Sequence, residues 1–534
     1  MRAEDEVKSA EGPAGRLAPI AAFVGLGLVL FAAAMTAPLD YDEELYVSGA
    51  YFARSLSVYR DFVSVQPPLY TWILSAIFDL VGGWYLLTAR VVTWLFGLGV
   101  CALLYSLLTS CGTGRVGALA LVVGFATSPF TQGPLVETRN DIVPLLFFLA
   151  ALRLCLGADG TFSRSVPRLM LSGFFAALAG ATKYSYIFAA PIVIAGLLYD
   201  EYVRREANRT FTAPHTRWFL SGAVLGVLPL VFPLVIHRDR FVLETLQFHL
   251  TVVFDWYRAQ GYGEVLTLEH KLKSLPRQMI LRGNASILII GGLSALAVTL
   301  RNPRHPWRIF RGEPRAIALV GLICGALIFA ILAGPHAMYF APVAALAALL
   351  AGRIYAAARP GVPPWLGAML LIISLLPATP AFQRYGAWIA RSADLSEWTG
   401  VQTHDSALRI AQMLVQHGVS GHVATLFPVV VIDANRVLPE FAAGPFFFRS
   451  ADAYSAEQVA RLRGVGPATL ESLFAHSPPA AIVAGFGPFH FKWNPPMDAA
   501  LIDYAQRSGF VRVADHWTIN GYRNGQVWVR QAPP

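Results

Sequence analysis

The sequence is short of charge for its length. Of its 534 residues, 14% are Asp, Glu, Lys or Arg, while 55% are hydrophobic, and the mean hydropathy is +0.51. Soluble domains carry about 25% charged residues. A soluble chain of this composition would lack the polar surface to cover itself. We therefore expect lipid to solvate much of the molecule, as in a helical membrane protein of many spans.

Cysteine is also scarce. The four cysteines lie in or beside apolar segments without metal-ligand spacing: Cys101, Cys111, Cys155 and Cys324. No cysteine follows position 324, so the C-terminal third cannot hold a disulfide. The sequence also lacks a phosphate-cradling glycine loop, an HExxH motif and a nucleophilic serine with a matched base. These absences argue against cytoplasmic ATP or sugar-nucleotide chemistry.

The net charge is +9, but no soluble basic patch of the kind that binds nucleic acid is visible. Spans need about 20 apolar residues. Eleven apolar segments predict transmembrane helices, at 17–37, 86–109, 116–133, 141–157, 169–182, 185–200, 217–236, 284–301, 316–333, 338–357 and 361–380. The fifth and sixth are short, and one bent helix containing Lys183 is an alternative.

Arg and Lys concentrate in alternate loops, which are cytoplasmic by the positive-inside rule. The remaining loops, at 38–85 and 237–283, are then predicted to be extracytoplasmic. This layout predicts a cytoplasmic segment (1–16), a transmembrane catalytic domain (17–380) and an extracytoplasmic domain (381–534). In the last, β-type runs alternate with helical patterns, which predicts a small α/β domain. The runs are His422–Phe427, Val429–Asp433, Ala480–Ala484, Phe510–Val513 and Gln526–Val529, with helices near 403–417, 455–462 and 498–508.

The first external loop opens with four carboxylates in five positions: Asp40, Asp42, Glu43 and Glu44. They fit a solvated loop or acidic N-caps of a surface helix. They also fit a general base with a supporting carboxylate, because partial desolvation at a membrane face raises a carboxyl pKa toward the working pH. Further along, Gln66-Pro67-Pro68 precedes the aromatic, apolar run Leu69–Val81, which predicts an interfacial helix.

The second external loop holds Glu137, Arg139 and Asp141 between two spans. A salt bridge with N-capping would explain these residues. Ionisable groups at membrane depth are also often functional, and two acidic loops that converge could orient a hydroxyl or hold a divalent cation. Lys183 and Arg282 are cations placed where a lipid phosphate would lie, although snorkelling lysines and headgroup contacts are common. For His336 and Tyr339 we favour a polar interface anchor.

Together these motifs resemble the GT-C superfamily of membrane glycosyltransferases. The similarity is greatest to the branch of the protein O-mannosyltransferases (glycosyltransferase family 39) and the lipid A aminoarabinose transferase. It is carried by Asp40–Tyr46, Gln66–Trp72, Glu137–Asp141, Gly180–Lys183 and His336–Pro342, over roughly residues 17–380.

The resemblance implies transfer of a sugar from a polyprenyl-phosphate carrier to a hydroxyl of a glycolipid, polysaccharide or protein at the outer face of the cell (inner) membrane. It assigns the catalytic carboxylate to Asp42, then Glu43 or Asp40, with Asp141 and Glu137 as a second acidic element. Gln66 stands where relatives often have a base that contacts the carrier phosphate, so this contact must weaken or pass to Lys183 or Arg282. No cofactor follows with certainty, and a divalent cation stays open.

Two other functions fit the same chain. A transporter or flippase of lipid-linked sugars would place its ionisable residues near the midplane, on broken helices with repeat symmetry. No internal repeat is visible, and the acidic residues cluster at one predicted face. A non-catalytic envelope assembly protein that kept the fold remains open.

Overall fold

The structure is a computed structural model that describes residues 13–157, 161–205, 214–276, 284–301, 314–333, 336–359, 364–485, 487–488 and 498–530. Most of the described chain is helical. The helices up to residue 205 are α1 (Pro13–Thr36), α2 (Tyr41–Ala53), α3 (Leu69–Val81), α4 (Tyr85–Ser110), α5 (Arg115–Ala126), α6 (Pro129–Val136), α7 (Ile142–Cys155), α8 (Val166–Thr182) and α9 (Ala189–Arg205).

A second group of helices runs from residue 214 to the end of the apolar region. It comprises α10 (Pro214–Gly226), α11 (Leu228–Ile236), α12 (Arg238–Phe241), the π-helix Val242–Val252, α13 (Val253–Ala259), α14 (Leu268–Pro276), α15 (Ala285–Arg301), α16 (Pro314–Leu332), α17 (Ala341–Ala358), α18 (Pro364–Ser374) and α19 (Thr379–Ser392). Within the described residues, each of the eleven predicted spans coincides with a helix or a helix pair from these two groups.

Fewer than eleven helices are long and apolar enough to qualify as membrane spans by length and composition alone. Among the described residues, four helical stretches qualify: Pro19–Thr36, Tyr85–Ser110, Tyr184–Val203 and Ala337–Ala358. The number rises to six if two bent pairs each count as one span, α5 with α6 at 79° and α10 with α11 at 44°. The chain is thus a bundle of membrane helices, and the count of eleven stays a prediction.

The predicted interfacial segment is a helix. α3 matches the run Leu69–Val81 and ends at Gly82, whose φ of 73° is a left-handed C-cap. α8 ends before Lys183, which has extended backbone (φ −148°, ψ 124°) and precedes the short 3₁₀ helix Tyr184–Tyr186. Lys183 therefore lies at a break between two helices, not inside one bent helix.

Glycines set the approach of α8 and α10. A Cβ built on Gly222 would lie 1.8 Å from the carbonyl oxygen of Met170, and one on Gly173 would lie 1.8 Å from that of Phe219. Only residues without a side chain permit backbones this close, as small residues do in membrane helix pairs.

The C-terminal part contains the helices α20 (Thr399–Gln416), α21 (Gly444–Ser450), α22 (Ala456–Arg461), α23 (Leu470–His476) and α24 (Ala499–Arg507). It also holds a sheet of β1 (Val423–Ala424), β2 (Ala481–Ala484), β3 (Gly487–Pro488), β4 (Phe510–Ile519) and β5 (Tyr522–Arg530). The described strands run in the order β1-β2-β5-β3, with β4 paired to β5.

A small α/β unit thus follows the apolar region, and the predicted helices in it are present. The strand predicted at Val429–Asp433 is wrong. Pro428–Val430 is a 3₁₀ turn, because Pro428 fixes φ for a helical first turn and the backbone N–H of Val429 donates to Glu44 rather than to a strand.

This unit packs on the first loop of the bundle. The turn between β4 and β5 reaches the end of α1, where the Leu39 N–H donates to Asn520 O at 2.7 Å. The Asn520 side-chain amide in turn donates to Thr36 O at 2.9 Å. Ser48 Oγ of α2 donates to Ala442 O at 2.5 Å. The start of α2 is therefore held between the bundle and the C-terminal part.

Candidate active site

The first acidic motif begins as a helix cap. Asp40 is the N-cap of α2, where its side chain accepts the Asp42 N–H at 2.9 Å. Glu43 reaches back to accept the Asp40 N–H at 3.0 Å, which completes a capping box. The N-cap interpretation of these acids is therefore correct for Asp40 and Glu43, and it leaves Asp42 on the opening turn of α2.

Glu43 is a structural carboxylate. It is fully buried with Arg90 of α4, whose Nε and Nη2 donate to its two oxygens at 2.9 and 2.6 Å. Arg90 also donates to the carbonyls of Ala34, Ala37 and Pro38, and Glu43 accepts the Thr138 N–H at 2.9 Å. A carboxylate with every oxygen engaged and no exposure cannot reach a substrate, so we withdraw Glu43 as a catalytic candidate.

Arg139 joins the two acidic motifs. Its guanidinium donates to Asp40 at 3.1 Å and to Glu137 at 3.0 Å, forms an ion pair with Asp42, and lies 3.7 Å from Asp141. The salt bridge predicted for Arg139 is present. It extends to both loops and sets Asp40 and Asp42 beside Asp141.

Asp141 faces the break after α8. Its Oδ1 accepts from Lys183 Nζ at 2.5 Å, and the ammonium also lies 4.8 Å from the ring centroid of Tyr339. Asn140 fixes the same junction by donating to Thr182 O at 2.7 Å. Asp141 stands at the N-cap position of α7, but its side chain makes no capping hydrogen bond, and its carboxylate binds Lys183 instead.

These groups line one cavity of about 670 Å³. Of the residues predicted from the sequence, Asp40, Asp42, Asp141, Lys183 and Gln66 line it, as do His336 and Tyr339. Glu43 and Glu137 do not line it, but they bond Arg90 and Arg139 beside it. Arg282 lies outside the described residues. The two acidic motifs, whose convergence the sequence leaves open, therefore meet at this cavity.

Gln66 meets the π-helix Val242–Val252. Its Nε2 lies 3.2 Å from Nε2 of His249, and that imidazole nitrogen lies 2.7 Å from Val65 O. Glu244 of the same π-helix accepts the Ser64 N–H at 2.7 Å and bonds Arg240 at 2.9 Å. Residues 64–66, which precede α3, are thus hydrogen-bonded to the π-helix Val242–Val252. Gln66 and His249 both line the cavity.

Burial raises the pKa of Asp40 above its ordinary value, and the Arg139 guanidinium opposes that shift. The pKa of Glu137 is also raised, first by burial and then by the neighbouring Asp40 carboxylate. His336 shifts the other way. Burial and the cations Arg139, Arg449 and Lys183 lower its pKa to about 4, so its imidazole is neutral near pH 7.

A divalent cation does not fit this set of groups well. Within the described ranges, no group of three or more His, Cys, Asp or Glu side chains has the arrangement of a metal site. Arg139 and Lys183 stand among Asp40, Asp42 and Asp141 where a metal would have to bind.

Several residues at or beside the cavity are not predicted from the sequence. Arg90, a charge inside an apolar helix, had a usable signal, since ionisable residues in such helices are rarely idle. His249 lines the cavity from the π-helix Val242–Val252, Trp256 and Tyr257 line it from α13, and Phe446 and Arg449 line it from the C-terminal part. The stretch Gly444–Phe446 resembles a loop that faces the membrane domain in relatives, but nothing in the local sequence marks His249, Trp256, Tyr257 or Arg449, which tertiary packing brings to the cavity.

Comparison with known proteins agrees with this architecture. Residues 65–237 match the model of the dolichyl-phosphate-mannose-protein mannosyltransferase family. The structure of ArnT from Cupriavidus metallidurans bound to undecaprenyl phosphate aligns with a TM-score of 0.55 and 14% identity, over 96% of this chain and 99% of that one. No curated protein sequence matches the chain.

The apo state of the same ArnT aligns with a TM-score of 0.50, 14% identity and the same coverage. The apo oligosaccharyltransferase of Archaeoglobus fulgidus aligns with a TM-score of 0.49 and 14% identity, over 88% of this chain and 69% of that one. The chain therefore has the multi-pass membrane fold of the GT-C glycosyltransferases, and the resemblance predicted from the sequence is confirmed.

Proposed function

We propose that the chain is a membrane glycosyltransferase that moves a sugar from a polyprenyl-phosphate carrier to a hydroxyl acceptor. The observation that carries the proposal is the shared cavity, where Asp40 and Asp42 of one loop meet Arg139, Asp141 and Lys183. Carboxylates beside fixed cations suit a reaction that removes a proton at one point and releases a phosphate at another.

Asp42 is the general base in this proposal. The acceptor hydroxyl oxygen attacks the anomeric carbon, its proton passes to the Asp42 carboxylate, and the bond from that carbon to the phosphate oxygen breaks. The carrier leaves as a polyprenyl monophosphate, and one displacement inverts the anomeric centre. Arg139 fixes Asp42 through their ion pair, and Asp40 holds the helix start from which Asp42 projects.

Lys183 is the cation for the departing phosphate. Its ammonium lines the cavity at a break between helices, held by Asp141 and the ring of Tyr339. Gln66 contributes a neutral amide on the same cavity, so the main charge compensation falls to Lys183. A preorganised cation of this kind stabilises charge that develops on the leaving group. Arg282 remains a candidate for the same phosphate on sequence grounds.

We further propose that the cavity opens at the extracytoplasmic face of the cell membrane, with eleven spans and the C-terminal α/β unit outside. The distribution of Arg and Lys supports this orientation. An enzyme at that face has no nucleotide sugar at hand, which accounts for a lipid-linked donor. The sugar is a hexose, a pentose or a uronic acid, and the acceptor is a glycolipid, a polysaccharide or a protein.

A transfer assay with the purified chain tests the proposal. The chain is incubated in detergent with radiolabelled polyprenyl-phosphate sugars and with envelope lipids, glycans and proteins as acceptors. We expect label to move to one acceptor class, and the Asp42→Asn variant to lose at least about a hundredfold in rate, the usual worth of a general base. Asn keeps the side-chain size, so folding should persist.

The matched control is Asp79→Asn, because Asp79 is exposed, pairs with Arg54 and stands outside the cavity. Its transfer rate should equal that of the unmodified chain. Full transfer by Asp42→Asn would remove Asp42 from the mechanism. Absence of transfer from every polyprenyl-phosphate sugar, with folded protein, would argue for the non-catalytic alternative.

A further inference from the structure

Arg449 brings a third cation to the cavity from the C-terminal part of the chain. It lies on α21, far in sequence from both acidic motifs, and it lines the same cavity as Asp42 and Lys183. The helix is held against the first acidic motif, since the rings of Tyr41 and Phe446 lie 4.6 Å apart between centroids. Arg449 is thus a fixed part of the cavity wall.

Aromatic rings hold the guanidinium in place. Its central carbon lies 4.1 Å from the ring centroid of Trp256, 4.9 Å from that of Phe446 and 5.3 Å from that of Tyr41. The guanidinium also hydrogen-bonds the Tyr41 hydroxyl, and it carries five N–H donors in a planar fork. The side chain can therefore stay on the rings while it donates to an anion in the cavity.

We infer that Arg449 and its aromatic neighbours bind the acceptor, and that this acceptor carries an anionic group, a phosphate or a carboxylate, near the hydroxyl that is glycosylated. The inference rests on the proposed function, because it takes Asp42 as the base. It assigns Arg449 as a specificity-determining residue that recognises the negative charge.

Placement separates Arg449 from the donor phosphate. In a single displacement the hydroxyl and the leaving phosphate occupy opposite sides of the anomeric carbon, so the base lies on the acceptor side. Arg449 packs against Tyr41, the residue before Asp42. Lys183 is held instead by Asp141 of the other motif.

The surrounding rings fit a carbohydrate. Trp256, Tyr257 and Phe446 line the cavity beside Arg449, and flat aromatic faces pack well against the apolar C–H faces of sugar rings. The Tyr257 hydroxyl lies 3.0 Å from His336 Nε2, so this ring is fixed in orientation. An anionic glycan or glycolipid therefore suits the wall better than an uncharged peptide.

The test measures binding without turnover. The full chain in detergent is titrated with methyl glucoside 6-phosphate, methyl glucuronide and the neutral methyl glucoside, followed by ligand-observed NMR. We expect at least one anionic glycoside to bind roughly tenfold or more tightly than the neutral one, the usual worth of a hydrogen bond to a charged group. Arg449→Gln should abolish that preference, while Arg449→Lys keeps part of it and Lys183→Met keeps it whole.

Undecaprenyl phosphate binding is measured on the same samples. It should be equal in the unmodified chain and Arg449→Gln, and Arg461→Gln, an exposed arginine paired with Asp239, should behave as the unmodified chain in every titration. An anion preference that survives Arg449→Gln, or one that is absent from the unmodified chain, overturns the inference. Loss of undecaprenyl phosphate from Arg449→Gln would also overturn it, by moving Arg449 to the donor. Failure of the unmodified chain to bind undecaprenyl phosphate would count against the proposed function alone.

Discussion

The ammonium of Lys183 lies 2.5 Å from Oδ1 of Asp141, although 42 residues separate them in the chain. Asp141 is nearly buried, with 4% of its side chain exposed, and Lys183 has 10% exposed. The pair joins the second acidic motif to the break after α8, and it keeps a positive charge at the cavity.

Replacing Lys183 by Met should weaken binding of polyprenyl phosphate about tenfold or more, because a charged hydrogen bond to the phosphate is lost. Lys183→Arg should lose less. Equilibrium binding of undecaprenyl phosphate to the purified chain measures the change.

Lys273→Met is the matched control. Lys273 is 76% exposed and pairs with Glu269 on α14, so its loss should leave the dissociation constant unchanged. Equal affinities for Lys183→Met and Lys273→Met would take Lys183 out of the phosphate site.

Arg90→Met should cost about 3–5 kcal/mol in the free energy of unfolding, since it leaves Glu43 as an unpaired buried carboxylate. The double variant Glu43→Met with Arg90→Met should lose less than the sum of the two single variants, because no buried charge is then left alone. Denaturation in detergent provides the measurement.

Arg461→Met serves as a surface comparison for Arg90→Met, and we expect it to change stability by less than about 0.5 kcal/mol. Additive losses for the Glu43 and Arg90 variants would show that the two side chains do not stabilise the fold as a pair.

His336 should contribute a loss of stability as the pH drops from about 6.5 toward 4, whereas the raised pKa values of Asp40 and Glu137 act in the opposite sense. The pKa of His336 is about 4 in the folded chain and 6.5 ordinarily, so the unfolded chain binds more protons in this interval and acid favours it. His336→Gln should remove this contribution, so its thermal unfolding midpoint should fall less, or rise more, than that of the unmodified chain as the pH goes from 6.5 to 4. An unchanged slope would mean that His336 titrates normally in the folded chain.

Gly222→Ala should destabilise the bundle by about 1–3 kcal/mol or more, because the new methyl group would meet Met170 O and force α8 and α10 apart. Gly25→Ala on α1 is the converse case, since nothing lies within 4 Å of a Cβ there. That change should be neutral or stabilising by up to about 1 kcal/mol, from helix propensity. Thermal unfolding of the two variants side by side measures the effect, and equal midpoints would contradict the close approach of α8 and α10.

The sequence predicted the site best where charged residues stand directly beside apolar helices. Asp40, Asp42 and Asp141 were marked by their charge beside apolar helices, and all three line the cavity. Glu43 could not be told from Asp42, because only the folded chain brings Arg90 and the Thr138 N–H to it.

Contacts between residues that lie hundreds of positions apart in the chain could not be predicted from the sequence. Arg449 lies on the short helix α21, for which the sequence predicts no helix, and its neighbour Trp256 belongs to α13, far earlier in the chain. The strand expected at Val429–Asp433 failed for a related reason. A buried tertiary hydrogen bond from Val429 to Glu44 overrides the local preference of a β-branched run.

The hydrogen bond from Leu39 to Asn520 has a consequence for biosynthesis. Leu39 directly precedes Asp40, yet its partner lies in the turn between the last two strands. The ribosome must therefore finish almost the whole polypeptide before the first loop can settle. Chains released early, even with every membrane helix already inserted, would lack this contact at the start of the acidic motif, and only bundle residues such as Arg90 and Arg139 would hold its carboxylates.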